Sequence, residues 1–79
     1  MVTHVVLFQL RDPSEATTAA TAAVLMEMDG KIPALESIEV GVDVVHSERS
    51  YDLALITRFR DWQGLEDYRV HPVHGKVLT

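Results

Sequence analysis

Cysteine is absent from the 79 residues, so no disulfide and no thiolate metal site can hold the chain together. Cations are also scarce. Seven Lys and Arg stand against twelve Asp and Glu, a net charge of −5. Nucleic-acid binding needs clustered cations that displace counterions, and here Arg58 and Arg60 are followed at once by Asp61. Nucleic acid is therefore not an expected partner. No apolar run approaches the roughly 20 residues of a membrane span. Met1-Val2-Thr3-His4 has neither the basic start nor the small-residue cleavage site of a signal peptide. No membrane association is expected, and the cytoplasm is the default location.

What is present makes one domain, residues 1–79, with no repeat, linker or low-complexity stretch. A chain this short buries only about 60% of its unfolded surface and is marginal alone. Small domains without disulfides or metals are commonly stabilised by a partner subunit.

Val2 to Leu10 reads as a first strand, with His4, Val6, Phe8 and Leu10 on one face and Thr3, Val5, Leu7 and Gln9 on the other. Both faces are largely apolar, as in a strand covered on both sides. Asp12-Pro13-Ser14-Glu15 signals a helix start, with Asp12 as cap and Pro13 in the first turn. The helix should run to about Met28, burying Ala16, Ala20, Ala23, Val24 and Met28, and Gly30 should close it in a left-handed conformation. Ser37 to Val45 alternates as a second strand, and Tyr51 to Phe59 as a third, forming an antiparallel hairpin. Asp61 caps a second helix from Trp62 to about Tyr68, with Trp62 as a core or dimer contact. Pro72 ends that helix and redirects the chain into a further short segment.

The order β-α-β-β-α is an α+β, ferredoxin-like unit without its last strand. Helices on one side of such a sheet leave the other side bare. The sequence reading assigns Val6, Phe8, Leu10, Leu53, Leu55 and Phe59 to the bare face. Their burial is worth on the order of 10 kcal/mol before costs. Two copies packed sheet to sheet would bury them in a two-fold interface, so a homodimer is expected.

Several stretches resemble the stress-responsive α/β-barrel domain family. They are Val2-Thr3-His4-Val5-Val6-Leu7-Phe8, Ile32-Pro33-Ala34-Leu35 with Ser37-Ile38-Glu39-Val40-Gly41, Tyr51-Asp52-Leu53-Ala54-Leu55, and above all Leu65-Glu66-Asp67-Tyr68-Arg69-Val70-His71-Pro72-Val73-His74. Together they cover most of the chain in the right order. The resemblance implies a dimeric α/β barrel with a cavity between sheet and helices. Some plant members are polyketide cyclases that close a ring by metal-independent aldol chemistry. They use a tyrosine and a histidine matching Tyr68 and His74, which makes these the candidate catalytic pair. The implied pocket is lined by His4, Phe8, Leu53 and His71. Leu53 stands where the cyclases carry a third-strand histidine, so one polar group of their pocket is missing here. The family's C-terminal strand has no counterpart within these residues.

The residues themselves leave several readings open. His74 has the chemistry of a general base near neutral pH, or it bonds backbone beside a turn. Tyr68 can hold a carbonyl oxygen as it gains charge, or serve as core. His4 faces inward with Val6 and Phe8, as a core histidine or a pocket one. His71 and His74 have metal-ligand spacing on a helix, but Pro72 lies between them and no third ligand is evident. No metal and no cofactor is expected. Three functions follow: a dimer that binds a small apolar or aromatic molecule, a lyase with His74 as base and Tyr68 as acid, or a stress-protective dimer without a ligand.

Overall fold

The computed structural model describes residues 1–78, with side chains through Lys76. Three strands form one antiparallel sheet: β1 (Val2–Phe8), β2 (Ser37–Val42) and β3 (Leu53–Phe59). Their order is β1-β3-β2, so the last strand in sequence lies in the middle. The helix α1 (Glu15–Met26) carries the chain across β3, and β1 and β2 run parallel as a result. Two further helices, α2 (Trp62–Val70) and α3 (Pro72–Leu78), follow β3. This is the ferredoxin-like unit without a fourth strand, and β1 is one edge of the sheet.

All three helices follow from local chemistry. Ser14, not Asp12, caps α1: its side chain accepts from the Thr17 N–H, while the Asp12 carboxylate accepts from the Ser14 N–H and the Thr17 hydroxyl. Helix therefore starts after Pro13 rather than on it. Asp61 caps α2 as expected, accepting from the Gly64 N–H at 2.9 Å. Pro72 opens α3, the position where its missing N–H costs nothing. Gly30 adopts φ +75°, four residues beyond the last residue of α1.

The buried side of α1 is not the alanine stripe. Ala16, Ala20, Ala23 and Val24 are exposed, and Thr18 and Leu25 face the sheet. An alanine-rich helix offers little contrast between faces, so periodicity alone selects the wrong one. The threonines can face inward because their hydroxyls bond within the helix, Thr18 to the Ser14 carbonyl and Thr21 to the Thr17 carbonyl, both at 2.8 Å.

The two sheet faces are also reversed from the sequence reading. Paired residues share a face, and register sets Phe59 opposite Val2, Leu55 between Val6 and Val40, and Leu53 between Phe8 and Val42. This is the helix-covered face. Leu53, Leu55 and Phe59 are buried, and Val6 and Phe8 pack against the same core. Leu10 lies beyond β1. The bare face instead carries Thr3, Val5, Leu7, Ala54, Ile56, Arg58, Ser37, Glu39 and Gly41. The physical reason is simple: the more apolar face is taken by the chain's own helices first. On the bare face Val5 and Leu7 remain 56% and 51% exposed, and Arg58 pairs with Glu39 at 3.5 Å.

The core runs along the covered face. Met28, Ile32, Leu25, Leu55, Phe59, Leu65 and Tyr68 form it, with α1 over β2 and β3, and α2 over β1 and β3. Trp62 is exposed, so it is no part of this core.

Candidate functional site

Tyr68 and His74 meet where α2 hands over to α3. Leu65 and Tyr68 lie on one side of α2 at a spacing of three, which turns both toward the sheet. Tyr68 is 1% exposed and packs its ring on Phe59, centroids 5.0 Å apart and planes at 53°. On Tyr68's other neighbour side lies His74, with ring centres 4.4 Å apart and planes at 45°. The contact is ring against ring, and no hydrogen bond joins the phenol to the imidazole. Burial holds the Tyr68 phenol above its ordinary pKa, because the phenolate would lose its hydration. Tyr68 is therefore a neutral hydrogen-bond donor at physiological pH.

The His74 hydrogen bond defines its tautomer. Nδ1 lies 3.1 Å from the Arg69 carbonyl oxygen. A carbonyl only accepts, so in the neutral ring Nδ1 carries the hydrogen and Nε2 carries the lone pair. His71 is the converse. Its Nδ1 lies 3.1 Å from the Val73 N–H, which only donates, so this nitrogen holds a lone pair already in use. His71 caps α3 and His74 lies within it, so the two do not share one helical face as a metal pair would. Among the described residues, no group of three or more His, Asp or Glu side chains is placed to hold a metal ion.

His4 sits on the covered face opposite Thr57, two residue pairs along from the Val2–Phe59 pair beneath Tyr68. Thr57 is fully buried, and its hydroxyl donates to the His4 carbonyl at 3.5 Å. The His4 side chain is different: its Nδ1 is buried and has no hydrogen-bond partner among the described residues. Buried polar atoms are nearly always paired, which makes this nitrogen an exception in the sheet. Phe8 and Leu53 stand opposite each other at the far end of the same face, away from the Tyr68–Phe59 stack.

Sequence reasoning missed a second region. A cleft of 660 Å³ opens between the start of α1 and the long β2–β3 connection, lined by Thr18, Ala19, Val42, Val44, Asp43 and Asp52 among others. None of the six predicted site residues lines it. The connection is shaped by Asp43, whose carboxylate accepts from the Val45 and His46 N–H groups at 3.1 and 2.8 Å. The His46 N–H is the main cause that holds the Asp43 carboxyl below its ordinary pKa. His46 takes φ 54°, a left-handed conformation that the turn imposes. The polar run Ser47-Glu48-Arg49-Ser50 signals a turn in the sequence, but not the cleft beside it. A more open depression of 410 Å³ lies over Gly41 and Ala54, beside Leu7 and Tyr51, and of the six predicted site residues Leu53 lines it.

Comparison with known proteins adds three observations. The profile of the stress responsive A/B barrel domain matches residues 2–79. No curated protein matches the chain. Among solved structures, a dimeric protein of unknown function with ferredoxin-like fold from Bacteroides fragilis NCTC 9343 superposes with TM-score 0.74 at 30% identity, over 96% of this chain and 81% of that one. A dimeric ferredoxin-like protein of unknown function from Thermobifida fusca YX gives TM-score 0.78 at 25% identity, over 96% and 73%. A third, from Jannaschia sp. CCS1, gives 0.66 at 21% identity over 95% and 75%, a likeness of fold alone.

Proposed function

The chain belongs to the stress responsive A/B barrel domain family, and from that premise we propose that it is a homodimer that binds a small apolar or aromatic molecule between its sheet and helices. The observation that carries this reading is the Tyr68–His74 ring contact, set on the same covered face as the unpartnered Nδ1 of His4. Phe59 and Tyr68 back the pair as buried aromatic core, and His74 is its partly exposed member. The Tyr68 phenol supplies a donor, and His74 Nε2 an acceptor. A ligand with a carbonyl or hydroxyl on an apolar body suits that set. Phe8 and Leu53 extend the apolar wall along the face.

Self-association rests on separate support. The related structures from Bacteroides fragilis and Thermobifida fusca are described as dimeric. The bare face here keeps Val5 and Leu7 half exposed beside the depression over Gly41, which a side chain of a second copy would fill. The dimer is thus proposed through Val5, Leu7, Ala54 and Ile56, rather than through the residues that the sequence reading assigned to it.

A metal-independent lyase is the second reading, and the His74–Arg69 bond favours it. With Nδ1–H held by the carbonyl, Nε2 is free to act as a base. In an aldol ring closure it would take a proton from a carbon flanked by carbonyls. The resulting enolate oxygen would accept from Tyr68 while the enolate carbon bonds a second carbonyl carbon of the same molecule. That carbonyl's oxygen then takes up the proton, and atoms balance.

Fluorescence titration with 8-anilinonaphthalene-1-sulfonate, an aromatic probe, tests the binding reading on the native protein. Saturable binding that His74→Ala and Tyr68→Phe both weaken, with the fold intact by circular dichroism, supports it. A native chain that binds no probe favours the ligand-free protective dimer. Turnover of a polyketone substrate lost in both variants would establish the lyase.

A further inference from the structure

We infer that His71 is a positioning residue that sets the orientation of His74, rather than a contact for ligand; the functional weight of this rests on the site proposed above. His71 makes three bonds at the joint between two helices. Its N–H donates to the Tyr68 carbonyl at 3.2 Å and closes α2. Its carbonyl accepts from the Gly75 N–H at 3.1 Å, in the first turn of α3. Its imidazole Nδ1 accepts from the Val73 N–H at 3.1 Å and caps that same helix.

The backbone agrees with this role. His71 has φ −68° and ψ 137°, the extended conformation of a residue ahead of a helix and of one ahead of proline. A cap side chain accepts from the second or third N–H of the helix, and Val73 is the second residue of α3. The first residue, Pro72, has no N–H to satisfy. Val73 then packs on the core and His74 follows it, bonded back to Arg69 near the end of α2. One imidazole thus fixes where α3 starts, and the start of α3 fixes which way the His74 ring faces Tyr68. A seven-residue helix has little propensity of its own to hold that start.

Only the unprotonated Nδ1 can accept from Val73, so the role needs an acceptor at that reach and nothing else of histidine. Asparagine provides such an acceptor and is among the best caps, whereas alanine has none. The test reads the His74 tautomer by imidazole ¹⁵N NMR at pH 8, above the ordinary range of histidine titration. In the native protein the Nδ1–H form of His74 should dominate. His71→Ala should shift the tautomer ratio toward Nε2–H, because a lost cap loosens the start of α3 and with it the His74–Arg69 bond, and His71→Asn should restore it. Probe binding should follow the same order. Should His71→Ala fail to fold, His71→Asn against His71→Gln decides, because glutamine keeps the amide but is a poor cap; only the asparagine should hold the native ratio. An unchanged His74 tautomer in the alanine or glutamine chain overturns the inference, as does loss in His71→Asn equal to that in His71→Ala. The tautomer is read without ligand, so failure of the native protein to bind the probe would sink the binding reading and leave this one standing.

Discussion

The imidazole of His74 rests against the ring of Tyr68, centroids 4.4 Å apart, while its Nδ1 reaches back to the Arg69 carbonyl. One helix thus supplies both the surface and the anchor for a side chain of the next. Tyr68 is at once a core residue and the half of the proposed site that helix α2 provides.

That double role separates two substitutions. Tyr68→Ala removes a fully buried ring from its stack on Phe59 and should destabilise the fold by about 3–5 kcal/mol, read by urea denaturation. Tyr68→Phe keeps the ring and should cost less than about 1.5 kcal/mol. It removes the donor, so probe or ligand affinity should fall while the fold persists. Equal loss of stability in both variants would show that the phenol, not the ring, holds this region.

Alkaline stability should report the same residue. Burial raises the Tyr68 pKa in the folded chain above its unfolded value of about 10. Below that value both states keep the proton, and the stabilisation is fully present. As pH rises through the folded value, the unfolded chain has already lost its proton and the native state is penalised. Thermal denaturation between pH 9 and 12 should show a fall in the midpoint that Tyr68→Phe reduces. Identical pH profiles for the two chains would refute the assignment.

His4 should show stability and function pulling apart. Its Nδ1 is buried without a partner among the described residues, an arrangement that costs stability. His4→Leu should therefore be neutral or stabilise the chain by roughly 1 kcal/mol in equilibrium unfolding, and should weaken ligand binding. A clear destabilisation would mean that the nitrogen is satisfied in solution.

The bare sheet face gives the test of the dimer. Leu7→Lys combined with Val5→Asp removes two half-exposed apolar side chains from the proposed interface. Losing both should cost association about 3 kcal/mol, or roughly a hundredfold in Kd. Sedimentation velocity should show monomers, and circular dichroism an unchanged fold, since neither side chain contributes to the core. A double variant that stays dimeric at micromolar concentration would place the interface elsewhere.

Much of the architecture is written in local patterns. Alternation located β1, β2 and β3 to within a few residues, because a period of two survives without knowledge of partners. Asp61 and Pro72 marked helix boundaries through backbone chemistry that acts within a few residues, whereas Gly30 marked a turn beyond α1, whose cap is Glu27 in a right-handed conformation. The stretch Leu65 to His74 carried the family resemblance, and with it the pairing of Tyr68 and His74. The inward side of α1 and the covered side of the sheet were decided only by tertiary packing. Both sides of β1 are apolar, and both sides of α1 carry alanine or threonine, so neither element declares its inside by itself. The competition was settled when Leu25, Met28, Leu65 and Tyr68 together covered the face with Leu55 and Phe59. The same packing buried His4 Nδ1 and brought the ring of His74 onto Tyr68, because a contact between two helices depends on the angle at their joint and not on either sequence alone.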